Sequence, residues 1–173
     1  AAAGRQHVCD ADVADLRRIE KQVDYCLRNT DVVALGTAST YIDDHGRVTG
    51  RPGVAVLEHA YHGRTMLTST MNFKAAPYAL GYGPRASDVY KGPNSYPLHD
   101  GLSGADAAAR TIAYLEKTAG AEDLACLVVE PIQGEGGFIV PADGYLPALA
   151  EWCRANGIVF IADEVQAGMA RTG

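Results

Sequence analysis

Two continuous apolar runs in the last third of the chain, each closed by acidic and glycine-rich residues, constrain the fold more than any other feature. Leu124-Ala125-Cys126-Leu127-Val128-Val129 is followed by Glu130-Pro131-Ile132-Gln133-Gly134-Glu135-Gly136-Gly137. Ile158-Val159-Phe160-Ile161-Ala162 is followed by Asp163-Glu164-Val165-Gln166-Ala167-Gly168. Short runs of this kind, rich in β-branched residues, suit strands covered on both faces. Between them Leu146, Leu149, Ala150 and Cys153 recur at helical spacing over residues 145–155, and Asn156-Gly157 supplies a stop. The pattern predicts strand, helix, strand: a βαβ unit within an α/β fold, with a mainly parallel sheet and flanking helices. Such sheets take ligands at the carboxyl ends of their strands. Glu130, Glu135, Asp163 and Gln166 all fall at those ends.

Working upstream, Gly53-Val54-Ala55-Val56-Leu57 reads as another buried strand, with Tyr61-His62-Gly63-Arg64-Thr65 at its carboxyl end. Residues 105–118 are helical by propensity, with Ile112 and Leu115 facing in and Gly120 as the stop. Residues 73–102 read as irregular, punctuated by Pro77, Pro84, Pro93 and Pro97. Four tyrosines there, Tyr78, Tyr82, Tyr90 and Tyr96, either line a pocket or anchor a long packed loop; so many aromatics do not suit a linker. Residues 1–48 form a separate segment. Val13, Leu16, Ile19, Val23, Cys26 and Leu27 predict a helix, with Asp10 or Asp12 as its cap and Asn29 at its end. Residues 32–35 predict a short strand and Asp44-His45-Gly46 a turn. His7 and His45 read as solvated loop residues.

Charge excludes one function class. A net charge of −6 with no basic run argues against a nucleic-acid surface. The four cysteines, Cys9, Cys26, Cys126 and Cys153, lack metal-ligand spacing, and no disulfide framework is suggested, which makes a reducing cytoplasm the default expectation. No metal site is expected, no apolar run approaches a membrane span, and the first residues carry no signal-peptide pattern.

The order Tyr-His-Gly-Arg-Thr, then Glu-Pro-Ile-Gln-Gly-Glu-Gly-Gly, then roughly thirty residues on Ala-Asp-Glu-Val-Gln-Ala-Gly-Met-Ala-Arg-Thr-Gly, resembles the class III aminotransferases. These enzymes use pyridoxal 5′-phosphate (PLP). Within the class the motifs are most similar to those of 4-aminobutyrate and related ω-amino-acid aminotransferases. The similarity runs from about residue 49 to 173. It implies the central part of the PLP-binding large domain of the fold-type I enzymes, incomplete here, with 1–48 unmatched. It also implies transfer of an amino group from an ω-amino acid to a 2-oxo acid, in a homodimer with active sites at the subunit interface.

The resemblance assigns roles position by position. Tyr61 is expected to stack on one face of the cofactor ring and Val165 to lie against the other. Asp163 pairs with the pyridine nitrogen, where a carboxylate keeps that nitrogen protonated. Gln166 hydrogen-bonds the ring's 3-oxygen. Arg64 receives the distal carboxylate of the substrate, a task that suits a planar guanidinium able to form two parallel hydrogen bonds. Glu135, set among Gly134, Gly136 and Gly137, acts on the substrate side as one half of a gate with an arginine further along. Glu130, held extended by the proline after it, is placed with the substrate-binding residues. His59 and His62 receive no chemical role.

Two departures from the family pattern matter. Family members hold the cofactor phosphate on a Ser/Gly-rich turn at a helix N-terminus; residues 36–40 (Gly-Thr-Ala-Ser-Thr) are the nearest by composition but do not match it. Family members also carry a lysine, beyond the Asp-Glu-Val-Gln motif, that forms a Schiff base with PLP. The four lysines of this chain, Lys21, Lys74, Lys91 and Lys117, all precede Asp163, and none occupies that place. The chain taken alone is therefore expected to be inactive. The alternative is a degenerate aminotransferase core serving as a non-catalytic binding module. A rival of another kind, a magnesium-binding acidic strand end of a P-loop ATPase, would need a Gly-x-x-x-x-Gly-Lys-Ser/Thr loop, which the chain does not contain.

Overall fold

The computed structural model describes residues 50–81 and 83–172. The segment predicted as helix, strand and turn over 1–48, the candidate phosphate turn at 36–40, and Tyr82 lie outside the described residues.

Within them the chain runs β1 (Gly53–Leu57), α1 (Met66–Met71), β2 (Val89–Gly92), α2 (Pro97–Asp100), α3 (Gly104–Thr118), β3 (Leu124–Val129), α4 (Tyr145–Asn156) and β4 (Val159–Ala162). The strands form one four-stranded sheet in the order β2-β1-β3-β4, and every pairing is parallel. The predicted strands and the two long helices are present within a residue or so of their expected ends. The stretch read as irregular holds two further elements, β2 and α2, and α1 ends just before it.

Alternation along β1 and β3 sorts side chains onto two faces. Ala55, Leu57, Leu127 and Val129 meet Ala107, Ala108 and Leu115 of α3 and Tyr145, Leu149, Trp152 and Cys153 of α4. Val54, Val56, Cys126 and Val128 turn to the other face, where Met71 of α1 covers them. Both faces being covered explains why these strands are apolar throughout rather than alternating. Truncating Leu127 to alanine would cost about 2–5 kcal/mol, as for any fully buried leucine.

Local chemistry sets the helix ends. Ser103 caps α3 by accepting from the Asp106 N–H, and Asp106 places a negative charge in the first turn. Gly157, at φ 65°, ends α4 in the left-handed conformation that glycine tolerates. Tyr145 is fully buried, and its hydroxyl lies 3.0 Å from Thr111 Oγ1, tying α4 to α3. Trp152 Nε1 donates to Glu116 Oε1 at 3.0 Å across the same pair. Gly104 is required by close approach: a Cβ there would stand 2.0 Å from the Asp143 carbonyl oxygen.

Candidate active site

Three adjacent strands, β1, β3 and β4, deliver Glu58, Glu130 and Asp163 to one edge of the sheet. The ladder continues one step past β4, where the Asp163 N–H donates to the Val129 carbonyl at 2.7 Å. Asp163 is thereby fixed by backbone before its side chain makes any contact.

His62 Nδ1 lies 2.7 Å from Asp163 Oδ2. An ionised carboxylate only accepts, so Nδ1 carries the proton. The His62 side chain is 2% exposed and that of Asp163 18%. His62 Nε2 is buried without a hydrogen-bond partner among the described residues. A bare ring nitrogen there is less costly than an unsatisfied N–H, which fits the neutral tautomer protonated at Nδ1. The main chain of His62 is held as well: its N–H donates to Asn72 Oδ1 at 2.7 Å, and Asn72 Nδ2 donates to the Gly63 carbonyl at 2.7 Å. Lys91 Nζ closes this brace on the Asn72 carbonyl at 2.5 Å, and burial lowers its pKa. Sequence reasoning gave His62 no role. The signal was its position opposite Asp163 across the sheet, which depends on the strand order.

Glu130 is buried rather than open to the strand-end cleft. Its Oε1 accepts from the Tyr61 N–H at 2.8 Å and its Oε2 from the Gly134 N–H at 3.1 Å. Both oxygens are thus engaged by backbone, and the carboxylate clamps the loop after β1 to the loop after β3. This geometry supports a bracing role rather than the substrate contact expected from the sequence. Desolvation pushes its pKa up, against the lowering effect of those two N–H donors.

The glycine-rich loop after β3 is pinned by Gln133, whose Nε2 donates to the Glu58 carbonyl at 2.7 Å while Oε1 accepts from Asn94 Nδ2 at 2.7 Å. Gly136 permits its close approach to the loop after β1, since a Cβ would stand 2.6 Å from the His59 carbonyl oxygen. Gly134 does the same toward Gln166, whose Oε1 would be 1.9 Å from an added Cβ.

Tyr61 and Arg64 both gather at Tyr78. The Tyr61 and Tyr78 ring centroids are 4.8 Å apart, and the Arg64 guanidinium carbon lies 5.1 Å from the Tyr78 centroid. The Tyr78 hydroxyl reaches Glu135 Oε2 at 2.5 Å, and Lys74 Nζ donates to the Glu135 carbonyl at 2.8 Å. Arg64 and Glu135 are therefore brought together through one ring. Val165 is exposed and its N–H lies 3.3 Å from Asp163 Oδ1; Gln166 is exposed beside it.

A parallel sheet with acidic and glycine-rich loops gathered at its carboxyl edge defines a ligand-binding α/β protein. Residues 29–173 match the model of the family described as "Aminotransferase class-III", and the chain belongs to that family. It is 58% identical over 132 residues to the 4-aminobutyrate aminotransferase of Mycobacterium bovis, covering 72% of this chain and 29% of that protein. It is 40% identical to the 5-aminovalerate aminotransferase DavT of Pseudomonas aeruginosa, covering 72% of this chain and 29% of that protein. Among solved structures it resembles an amine transaminase from an uncultivated Pseudomonas species in its PLP-bound form, with a TM-score of 0.64 and 31% identity, over 70% of this chain and 29% of that one. The chain thus spans under a third of the length of these relatives, and its fold is part of the α/β fold of the PLP transaminases.

The described residues fit the ring of that cofactor. Asp163 offers a carboxylate at a strand end, locked by His62 and still partly open. Tyr61 supplies a flat aromatic surface, and Gln166 a polar amide two loops away from it. Among the described residues no helix is long and apolar enough to cross a membrane.

Proposed function

We propose that this chain forms the cofactor-ring site of an enzyme that moves an amino group from an ω-amino acid, 4-aminobutyrate in the first instance, to a 2-oxo acid. PLP, when bound, supplies the electron sink for this chemistry. Everything else derives from the chain. Asp163 meets the ring nitrogen and keeps it protonated, because a carboxylate stabilises the adjacent cation. His62 holds Asp163 in one orientation, so that the charge is preorganised rather than recruited. Tyr61 and Val165 cover the two ring faces and exclude water, and Gln166 bonds the ring oxygen.

Arg64 receives the carboxylate at the far end of the donor. That carboxylate separates an ω-amino acid from a simple amine, and it fixes the amino group at a set distance from the ring. Glu135 stands beside Arg64 on the substrate side. The observation that carries this reading is the convergence of Asp163, Tyr61 and Arg64 at one sheet edge, with His62 bonded to Asp163 at 2.7 Å. The similarity to relatives named for 4-aminobutyrate and 5-aminovalerate supports a donor with a distal carboxylate. The lysine that completes the reaction is none of the four in this chain, so the stretch described here does not transaminate unaided. The enzyme acts in the cytoplasm as a homodimer in this reading.

The test is turnover. An enzyme of the relatives' length carrying this sequence, loaded with PLP, is incubated with 4-aminobutyrate and either pyruvate or 2-oxoglutarate, and the aminated acceptor is quantified. Formation of alanine or glutamate in proportion to donor consumed is the expected result. Donor left intact with both acceptors overturns the reading.

A further inference from the structure

Asn72 caps the C-terminus of α1, outside every motif that marks the family, and is 2% exposed. Each of its polar groups is used. Its N–H donates to the Thr68 carbonyl at 3.0 Å, and its carbonyl accepts from Lys91 Nζ at 2.5 Å. These two contacts fix its main chain between α1 and β2. Its side chain then reaches the loop after β1: Oδ1 accepts from the His62 N–H at 2.7 Å, and Nδ2 donates to the Gly63 carbonyl at 2.7 Å. The next residue extends the contact, the Phe73 N–H donating to the Ala60 carbonyl at 2.9 Å.

The match is chemical as well as geometric. A primary amide presents an acceptor and a donor side by side, and the His62–Gly63 turn presents the N–H and the carbonyl that complement them. A carboxylate has no donor for Gly63, and an alkyl side chain serves neither group. Gly63 stands at φ 122°, a conformation that residues with side chains rarely adopt. Glycine permits that conformation without enforcing it, because its backbone is the least restricted of all. The Asn72 amide supplies the restraint from outside the turn. With its main chain held, the buried His62 ring is aimed at Asp163, where Nδ1–H donates to Oδ2 at 2.7 Å.

We infer that Asn72 is a positioning residue for the cofactor site: its amide holds the His62–Gly63 turn so that His62 Nδ1–H stays on Asp163 and Asp163 stays aimed at the ring nitrogen. This rests on the cofactor half of the reading above. Asn72 acts only through His62 and touches neither cofactor nor donor. Lys91 anchors the same arrangement from β2, through the Asn72 carbonyl.

The experiment titrates the apo form of an enzyme of the relatives' length with PLP, in wild type, Asn72→Ala, His62→Phe and the double variant. Asn72→Ala is expected to weaken PLP binding about fivefold, less than the full value of a hydrogen bond to a charged group. In the His62→Phe background the same substitution is expected to change PLP affinity by less than about twofold, because the residue it acts through is gone. The proton resonance of His62 Nδ1–H gives a second readout: present in the wild type and absent in His62→Phe, it should weaken or move upfield in Asn72→Ala. A residue that merely packs would leave that resonance in place and would lose the same affinity in both backgrounds. Lys91→Met, which leaves the Asn72 side chain intact, serves in the same cycle if Asn72→Ala does not fold; a loss of about threefold, again only where His62 is present, is then expected. Wild-type PLP affinity in the variant, an unmoved Nδ1–H resonance, or an equal loss with and without His62 overturns the inference and leaves the cofactor reading standing. A wild type that does not bind PLP removes the cofactor reading and the inference with it.

Discussion

The Nδ1–H of His62 donates to Oδ2 of Asp163 at 2.7 Å, joining the loop after β1 to the first residue beyond β4. The two residues are 101 positions apart in sequence and are separated in the sheet by β3. Their meeting depends on strand order. With β1 and β4 flanking β3, the strand-end loops of both converge over the carboxyl end of β3, where Glu130 clamps the loop after β1 to the loop after β3.

Replacing His62 tests that contact. His62→Phe keeps a planar ring in the buried slot but leaves Asp163 Oδ2 without its donor. PLP affinity should fall roughly tenfold, the value of one hydrogen bond to a charged group. His62→Gln, which retains an N–H donor, should lose less. Titration of the apoenzyme with PLP, followed by absorbance, separates the two; equal affinity in wild type and His62→Phe would deny the contact any part in cofactor binding.

Glu130 makes a prediction about pH. Its folded pKa is raised above the ordinary 4.5, chiefly by desolvation. Between those two values the folded state holds a proton that the unfolded state has released. Stability contributed by this group therefore falls as pH rises through the window above 4.5, and is level beyond it. Glu130→Gln abolishes that slope. The variant should also melt lower at pH 7, by about 1–3 kcal/mol, because an amide NH₂ then faces one of the two N–H donors of Tyr61 and Gly134. Calorimetric melts of both proteins across pH 4.5–7 read slope and offset together; a Glu130→Gln protein with the wild-type slope would assign the titration to another group.

Gly104→Ala addresses the fold rather than the site. The added Cβ would stand 2.0 Å from the Asp143 carbonyl oxygen and 2.7 Å from the Tyr145 nitrogen, both main-chain atoms. Neither can rotate aside, so α3 must shift against α4 and the Tyr145–Thr111 contact with it. A loss of roughly 1–3 kcal/mol is expected, read as a lower denaturant midpoint at an unchanged m-value. An alanine variant as stable as the wild type would mean that α3 can move away from the 143–145 main chain without loss.

Much of this was legible in the sequence, for identifiable reasons. The strands at 53–57, 124–129 and 159–162 are continuous apolar runs, a pattern that burial on both faces demands in the first two, while the third is half-buried at the edge of the described sheet. The helix at 104–118 was legible by propensity and that at 145–156 by spacing, and they end at Ala119-Gly120 and Gly157. β2 was not legible: Val89-Tyr90-Lys91-Gly92 is short, carries a lysine and sits between prolines, and only pairing with β1 makes it a strand. α1, six residues long, is held by its Thr65–Thr68 capping box rather than by a periodic face. At the site, Asp163 and Arg64 stood out in the sequence through motifs, and their roles belong to the proposal above. The contacts of His62 and Tyr78 and the clamp made by Glu130 were not legible, because each is defined by a partner far away in the chain.

The last prediction separates the two halves of the proposed site. Asp163 is assigned to the cofactor ring and Arg64 to the donor's carboxylate, and the structure gives them different neighbours: Asp163 is bonded to His62 at the end of β4, whereas Arg64 rests over Tyr78 at the loop after β1. Asp163→Ala removes a carboxylate whose worth against a protonated ring nitrogen is about 1.5–3 kcal/mol, so PLP affinity should fall roughly ten- to a hundredfold. Arg64→Ala should leave PLP affinity at the wild-type level while raising the KM for 4-aminobutyrate by a similar factor, since an unpaired donor carboxylate loses a bidentate contact of the same class. Arg64→Lys should recover only part of that loss, because an ammonium cannot form the paired, planar contact. PLP titration and donor KM, measured on all three variants, form the check. Loss of PLP affinity in Arg64→Ala, or a donor KM that ignores it, would move Arg64 out of the substrate site.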